Sequence, residues 1–145
     1  MNNDQNLRLA IYSQAVFLLG GAALSKNFEG IKTRKFGIEI EMTGLTRSQA
    51  AKAMANVLDG SVEHEGGSYD KYVVTDAKNR GWAIVYDGSI NCYNASGDRA
   101  SKAYSVEMNS PVLEYEDIPL LQEVVRALRL SLIHISEPTR PLYIS

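Results

Sequence analysis

"KFGIEIEMTGLTR", residues 35–47, is the stretch of sequence that decides the fold. From Phe36 to Met42, apolar side chains alternate with glycine and two glutamates, which is the period of two that a β-strand produces. This alternation predicts a strand with one face packed on a core. Glu39 and Glu41 then lie on the other face, with their Cα atoms about 6.6 Å apart.

The composition describes an ordinary soluble domain. The chain has 145 residues, of which 45% are hydrophobic and 22% charged, and its net charge is −2. A net charge of −2 gives no sign of a basic surface that could bind a phosphate backbone, so we expect no nucleic-acid partner. One cysteine, Cys92, excludes an internal disulfide and a cysteine-cluster metal site, and we interpret it as a bystander. We expect a cytoplasmic location.

Residues 1–30 are interpreted as an N-terminal helical segment. Its apolar part, residues 15–24, has helical spacing and the length of a signal-peptide core, but few positive charges precede it. It is also shorter than the ~20 apolar residues that span a membrane. We therefore expect a packed or loosely attached helix and no membrane span, with a cleaved signal as the alternative.

Further strands and two helices follow the first strand. Thr46 and Gln49 have the spacing of a capping box, which opens an amphipathic helix. A second amphipathic helix is predicted to begin at Asp117, with Pro119 in its first turn. Strand composition or alternation recurs in residues 72–75, 82–86 and 104–109. This pattern predicts an α+β fold with a small antiparallel sheet.

The last fifteen residues, "SLIHISEPTRPLYIS", do not match what precedes them. They contain two prolines and show neither helical periodicity nor caps. The string resembles the translation of a sequencing-adapter read-through, so we interpret residues 131–145 as a non-native tail. A genuine loop-like tail is the alternative.

Acidic residues are distributed over three predicted strands. Glu39 and Glu41 lie on the first, Asp87 and Ser89 follow another, and Glu107 lies within a third. Carboxylates that share one sheet face repel each other unless a cation lies among them, and Mg²⁺ or Mn²⁺ with a bound phosphate group suits such oxygen ligands. The pattern does not separate phosphoryl transfer from a metal-dependent nuclease. For Glu39 and Glu41, the alternative is that they lie on a sheet face that is simply exposed to water.

Three segments in this order carry a resemblance: "RKFGIEIEMTGLTR", "RGWAIVYDGSI" and "YSVEMNSPVL", the last followed by an amphipathic helix. Over residues 34–129 the chain resembles the opening half of the amidoligase family, ATP-dependent carboxylate–amine ligases related to glutamine synthetase and glutamate–cysteine ligase. The resemblance implies a curved, partly open antiparallel sheet of the glutamine-synthetase type, with helices on its back. Residues 31–130 would form the N-terminal part of such a domain.

The resemblance also implies roles for individual residues. Glu39, Glu41 and Glu107 match acids that bind the metal ions, and Asp87 and Ser89 match a catalytic element near the nucleotide or the acceptor. The implied activity needs ATP and Mg²⁺ (or Mn²⁺). It joins a small-molecule or peptide carboxylate donor to an amine acceptor through an acyl phosphate.

Basic residues that hold phosphates are harder to identify. Arg34 and Arg80 flank predicted strand ends and are assigned to nucleotide binding, although loop arginines usually face water. The family's later histidine-bearing segment is not recognisable, and we interpret His64 as a solvated loop residue. We therefore expect a truncated ligase that is inactive alone. The alternatives are a non-catalytic metal- or ligand-binding module and a metal-dependent hydrolase.

Overall fold

The structure, a computed structural model, describes residues 7–12, 29–94 and 96–136, with side chains from 30, 32–94 and 96–132. The strands are β1 (Leu7–Tyr12), β2 (Gly37–Met42), β3 (Ser61–Gly66), β4 (Lys71–Thr75), β5 (Gly81–Tyr86) and β6 (Val106–Asn109). The helices are α1 (Glu29–Lys32), α2 (Arg47–Leu58) and α3 (Ile118–Ser136). Two 3-10 turns lie at Lys102–Tyr104 and Tyr115–Asp117.

The six strands in the described part of the chain form one antiparallel sheet in the order β1-β2-β6-β5-β4-β3. Ile38, Ile40 and Met42 of β2 are buried and belong to the core that α2 and α3 complete. Their alternation with half-buried residues is the pattern that the sequence predicts. The structure confirms an α+β fold with an open antiparallel sheet and helices on one face.

Helix α2 begins as predicted. The Thr46 hydroxyl accepts a hydrogen bond from the backbone N–H of Gln49, and the Gln49 side chain accepts one from the backbone N–H of Thr46. This capping box satisfies two amides that have no partner inside the helix. Ala50, Met54 and Leu58 then lie on the buried face of the helix and pack on the sheet.

The N-terminal segment differs from the prediction. Residues Leu7–Tyr12, inside the segment predicted to be helical, form a strand that pairs with β2. Their alternating apolar residues suit a strand, and β2 offers its backbone groups on that side. The helix predicted at residues 15–24 lies outside the described residues. None of the helices in the described part of the chain is both long and apolar enough to cross a membrane.

The C-terminal segment is more regular than expected. Helix α3 continues through residues 131–136, although a tail without periodicity is predicted from residue 131. Leu132 lies one turn after the buried Leu128 and packs against the core. The rest of the predicted tail, residues 137–145, lies outside the described residues, and its non-native origin stays a prediction.

Candidate functional site

Pairing of β2 with β6 brings acids together on the open face of the sheet. Glu41 lies directly opposite Glu107, and Glu39 lies opposite Asn109. The intervening pair, Ile40 and Met108, is fully buried on the helix side. Because side chains alternate between faces, Glu41 and Glu107 project from the face that no helix of the described residues covers.

Asp87 joins these two glutamates from the end of β5. In the β5–β6 pairing Val85 lies opposite Glu107, and Tyr86 is the last residue of the strand. The carboxylate oxygens of Glu41, Asp87 and Glu107 lie within 4.8 Å of one another. We call these three residues the acidic triad. All three are half-buried, so water screens their repulsion less than on an open surface.

The pKa values of two triad residues, Asp87 and Glu107, are shifted in opposite directions. Burial raises the pKa of Glu107 above its ordinary value, the negative charges of Glu39 and Asp87 add to the rise, and the hydrogen bond from Asn109 opposes it. By contrast, the backbone N–H of Ser89 holds the pKa of Asp87 below its ordinary value. Glu107 therefore retains a proton more readily than Asp87 does, and a cation among these carboxylates would relieve their repulsion.

Ser89 fixes the orientation of Asp87. Its backbone N–H donates to Asp87 Oδ1 at 2.8 Å, and its hydroxyl donates to Asp87 Oδ2 at 2.9 Å. Both bonds come from a turn that directly follows β5. In this structure the Ser89 hydroxyl is thus a donor to Asp87.

The structure brings together most of the predicted acids. Glu41, Asp87 and Glu107 form the triad, whereas Glu39 lies two residue pairs farther along β2 and is not a member of the group. Glu39 contributes its charge at Glu107. Arg34 is exposed between α1 and β2, and its assignment to a nucleotide stays a prediction.

Arg80 occupies a different place from the one predicted. Its Nε lies 2.9 Å from Asp76 Oδ2 and its Nη1 lies 2.8 Å from Asp117 Oδ2. Asp117 directly precedes α3, as predicted, but its carboxylate is committed to Arg80. Arg80 precedes β5 whereas Asp87 follows it, and a six-residue strand separates the two ends by about 20 Å.

In this structure the Arg80 guanidinium binds two aspartates away from the acidic triad, and its assignment to a nucleotide stays a prediction. The physical reason is the burial of its two partners, because carboxylates that leave water need a cation or several hydrogen-bond donors. Trp82 supplies one more donor, through Nε1 to Asp76 Oδ2 at 3.1 Å. The fully buried Trp82 is otherwise a core residue, as its position on β5 suggests.

His64 is also placed differently, because it lies on strand β3 and has partners. Its ring stacks on Tyr72, with centroids 4.2 Å apart, and its Nε2 lies 2.7 Å from Asp70 Oδ1. Arg47 Nε donates to the other Asp70 oxygen at 2.8 Å. His64 pairs with Tyr72, and Tyr72 with the buried Ile84, so this group lies on the helix side of the sheet, opposite the triad.

Asn109 is a site residue that the sequence reasoning did not single out. Its Nδ2 donates to Glu107 Oε1 at 2.7 Å. The signal was available, because a residue two positions after Glu107 on a strand projects from the same face.

One comparison with known proteins identifies a family. The family described as "Putative amidoligase enzyme" matches residues 32–136, a span that contains β2 to β6, α2 and α3 and all three triad residues. No curated protein and no solved structure matches the chain. Since the family match covers well over half of the 145 residues, the chain belongs to the amidoligase family.

Proposed function

We propose that this amidoligase is an ATP- and Mg²⁺-dependent carboxylate–amine ligase, with Mn²⁺ as a possible substitute metal. The observation that carries the proposal is the acidic triad on the open sheet face of a chain in this family. A ligase of this kind must gather the charge of nucleotide phosphates and a donor carboxylate in one place. The triad supports this by offering three acids within 4.8 Å.

The donor set fits a hard divalent cation. Mg²⁺ binds oxygen ligands at about 2.0–2.1 Å, which places neighbouring ligands of one ion about 3 Å apart and opposite ones about 4 Å apart. The triad oxygens, within 4.8 Å of one another, need only small rotations to reach this spacing. Glu41, Asp87 and Glu107 would hold the cation, and Glu39 would add negative charge beside them.

The chemistry divides between the cation and the protein. A bound cation would neutralise charge that develops on the phosphoryl oxygens. Ser89, assigned by resemblance to a catalytic position, would hold Asp87 in its ligating orientation through the two bonds described above. The donor carboxylate would attack the γ-phosphate of ATP, which gives an acyl phosphate and releases ADP. The amine would then attack the acyl carbon, expel phosphate and form the amide.

The partners follow from this chemistry. The donor and the acceptor would be small molecules or peptides that carry a free carboxylate and a free amine. A reaction that consumes ATP belongs in the cytoplasm, where we place it. No lysine or arginine contributes to the pKa of Asp87 or Glu107 among the described side chains. We therefore expect the 145-residue chain to bind the phosphates of ATP weakly and to turn over slowly or not at all.

The activity test is ADP release in the presence of Mg²⁺, ATP and a panel of carboxylates and amines. It is run on the product of the complete gene and on the 145-residue chain side by side. The proposal predicts ADP release that depends on both a carboxylate and an amine. Release without an amine would indicate a hydrolase, and absence of nucleotide binding in both proteins would indicate a non-catalytic module.

A further inference from the structure

Asn109 is placed where it can control Glu107. The two residues lie two positions apart on β6, and the Asn109 amide donates to Glu107 Oε1 at 2.7 Å. The sheet register puts Asn109 opposite Glu39 on β2 and opposite Ala83 on β5. The amide therefore lies on the open face next to two carboxylates, and it is half-buried like its acceptor.

Glu107 needs such a partner more than a surface glutamate does. Its side chain has several rotatable bonds, and fixing it in one rotamer costs conformational entropy. Its neighbours Glu41 and Asp87 carry the same charge, so repulsion favours rotamers that leave the triad. A hydrogen bond to one oxygen restricts this movement and leaves the other oxygen, Oε2, without that constraint.

The chemical type of the donor also matters. An amide orients the carboxylate without cancelling its charge, whereas a lysine or arginine would neutralise the charge that attracts a cation. The same solution occurs at Asp87, where Ser89, again two residues later, supplies only uncharged donors. Two of the three triad acids are thus oriented by neutral groups.

From this geometry we propose that Asn109 is a positioning residue that holds Glu107 for cation binding and so sets the affinity of the triad for its divalent ion. This inference rests on the proposed function, because it presumes that the triad binds the cation. Removing a hydrogen-bonded partner of a metal ligand typically weakens metal binding about 10- to 100-fold.

The test compares Mn²⁺ affinity, measured by isothermal titration calorimetry at one pH, across variants of the 145-residue chain. Asn109→Leu keeps the approximate shape of the side chain but removes the donor, and we expect it to bind Mn²⁺ about 10- to 100-fold more weakly. Asn109→Gln retains an amide donor and should recover part of that loss. The control is Thr75→Val, which changes another half-buried polar residue, on β4, and should bind as the unmodified chain does.

Two further measurements separate the possible outcomes. Glu107→Gln should lose Mn²⁺ binding, and the melting temperature of metal-free Asn109→Leu should stay close to that of the unmodified chain. Unchanged affinity in Asn109→Leu with lost affinity in Glu107→Gln would overturn the positioning role and leave the proposed triad intact. A drop in melting temperature that accompanies the affinity loss, with no recovery in Asn109→Gln, would assign Asn109 a structural role instead. Unchanged affinity in Glu107→Gln would overturn the proposed triad itself.

Discussion

Replacing Arg80 with leucine removes the cation between two buried carboxylates. The side chains of Asp76 and Asp117 are only 2% and 4% exposed, and Arg80 contacts them at 2.9 and 2.8 Å. After the replacement, Asp76 keeps the indole N–H of Trp82, and Asp117 keeps the ammonium group of Lys78 at 3.1 Å. The variant therefore weakens the network without removing every partner of either aspartate.

The size of the effect follows from these contacts. Removing one member of a buried ion pair costs about 3–5 kcal/mol, and the remaining donors place this case near the lower end, at about 3 kcal/mol. For a chain of this length 1 kcal/mol shifts the melting temperature by about 4 °C, so Arg80→Leu should melt about 12 °C lower.

The effect should also depend on pH in a defined direction. The Arg80 guanidinium holds the pKa of Asp117 well below its ordinary value. A depressed carboxylate pKa stabilises the fold above the unfolded-state pKa of about 3.9, and this stabilisation is lost as the pH falls through the folded-state value. The gap in melting temperature between the two proteins should thus be constant from pH 8 to pH 5 and shrink below about pH 4.

Thermal unfolding followed by circular dichroism at pH 7 and pH 3 measures both quantities. Lys78→Ala is the matched control, because the Lys78 side chain is 65% exposed and its pair with Asp117 should contribute less than about 1 kcal/mol. An unchanged melting temperature in Arg80→Leu together with loss of nucleotide binding would refute the structural role. That result would return Arg80 to the phosphate-binding role that the sequence suggests.

Three other substitutions give distinct expectations. Glu41→Gln should weaken Mn²⁺ binding at least about tenfold in calorimetry without lowering the melting temperature, since it removes one of three repelling charges; unaltered affinity would exclude Glu41 as a ligand. Gly60→Ala would place a Cβ 2.3 Å from the backbone oxygen of Thr75 and should cost about 1–3 kcal/mol in urea unfolding; a neutral result would contradict this close approach. His64→Ala should cost less than about 1 kcal/mol, because both side chains of its pair with Asp70 are almost half exposed; a larger loss would mean that the pair holds the β3–β4 hairpin in place.

The sequence predicts a helix or strand correctly where the residues that determine it are only a few positions apart. The alternation in β2 and the capping box at Thr46 are of this kind, and both are confirmed. Strand β3 was not predicted because its residues are mostly exposed and do not alternate. It is held at the edge of the sheet by pairing with β4, which is a contact between segments. The strand predicted at residues 104–109 is shorter, since Lys102–Tyr104 forms a 3-10 turn.

In the candidate site, too, the sequence predicts local features, whereas contacts between distant segments decide the rest. The sequence places Glu39 and Glu41 on one face, but only the register with β6 decides that Glu41 is the residue opposite Glu107. A turn after β5 similarly decides that Asp87 lies beside Glu41 and Glu107, and its catalytic assignment stays a prediction. The sequence does not show the pair of Arg80 with Asp117, because these two residues are distant in the chain and meet only in the folded protein.

The most direct test of the acidic triad compares Mn²⁺ binding by Asp87→Asn and Glu39→Gln variants with binding by the unmodified chain. Both substitutions remove one negative charge from the same sheet face, but only Asp87 belongs to the triad. The account predicts that the unmodified chain binds Mn²⁺, that Asp87→Asn weakens the affinity about tenfold or more, and that Glu39→Gln weakens it far less. Absence of Mn²⁺ binding by the unmodified chain, or equal losses in the two variants, would contradict it.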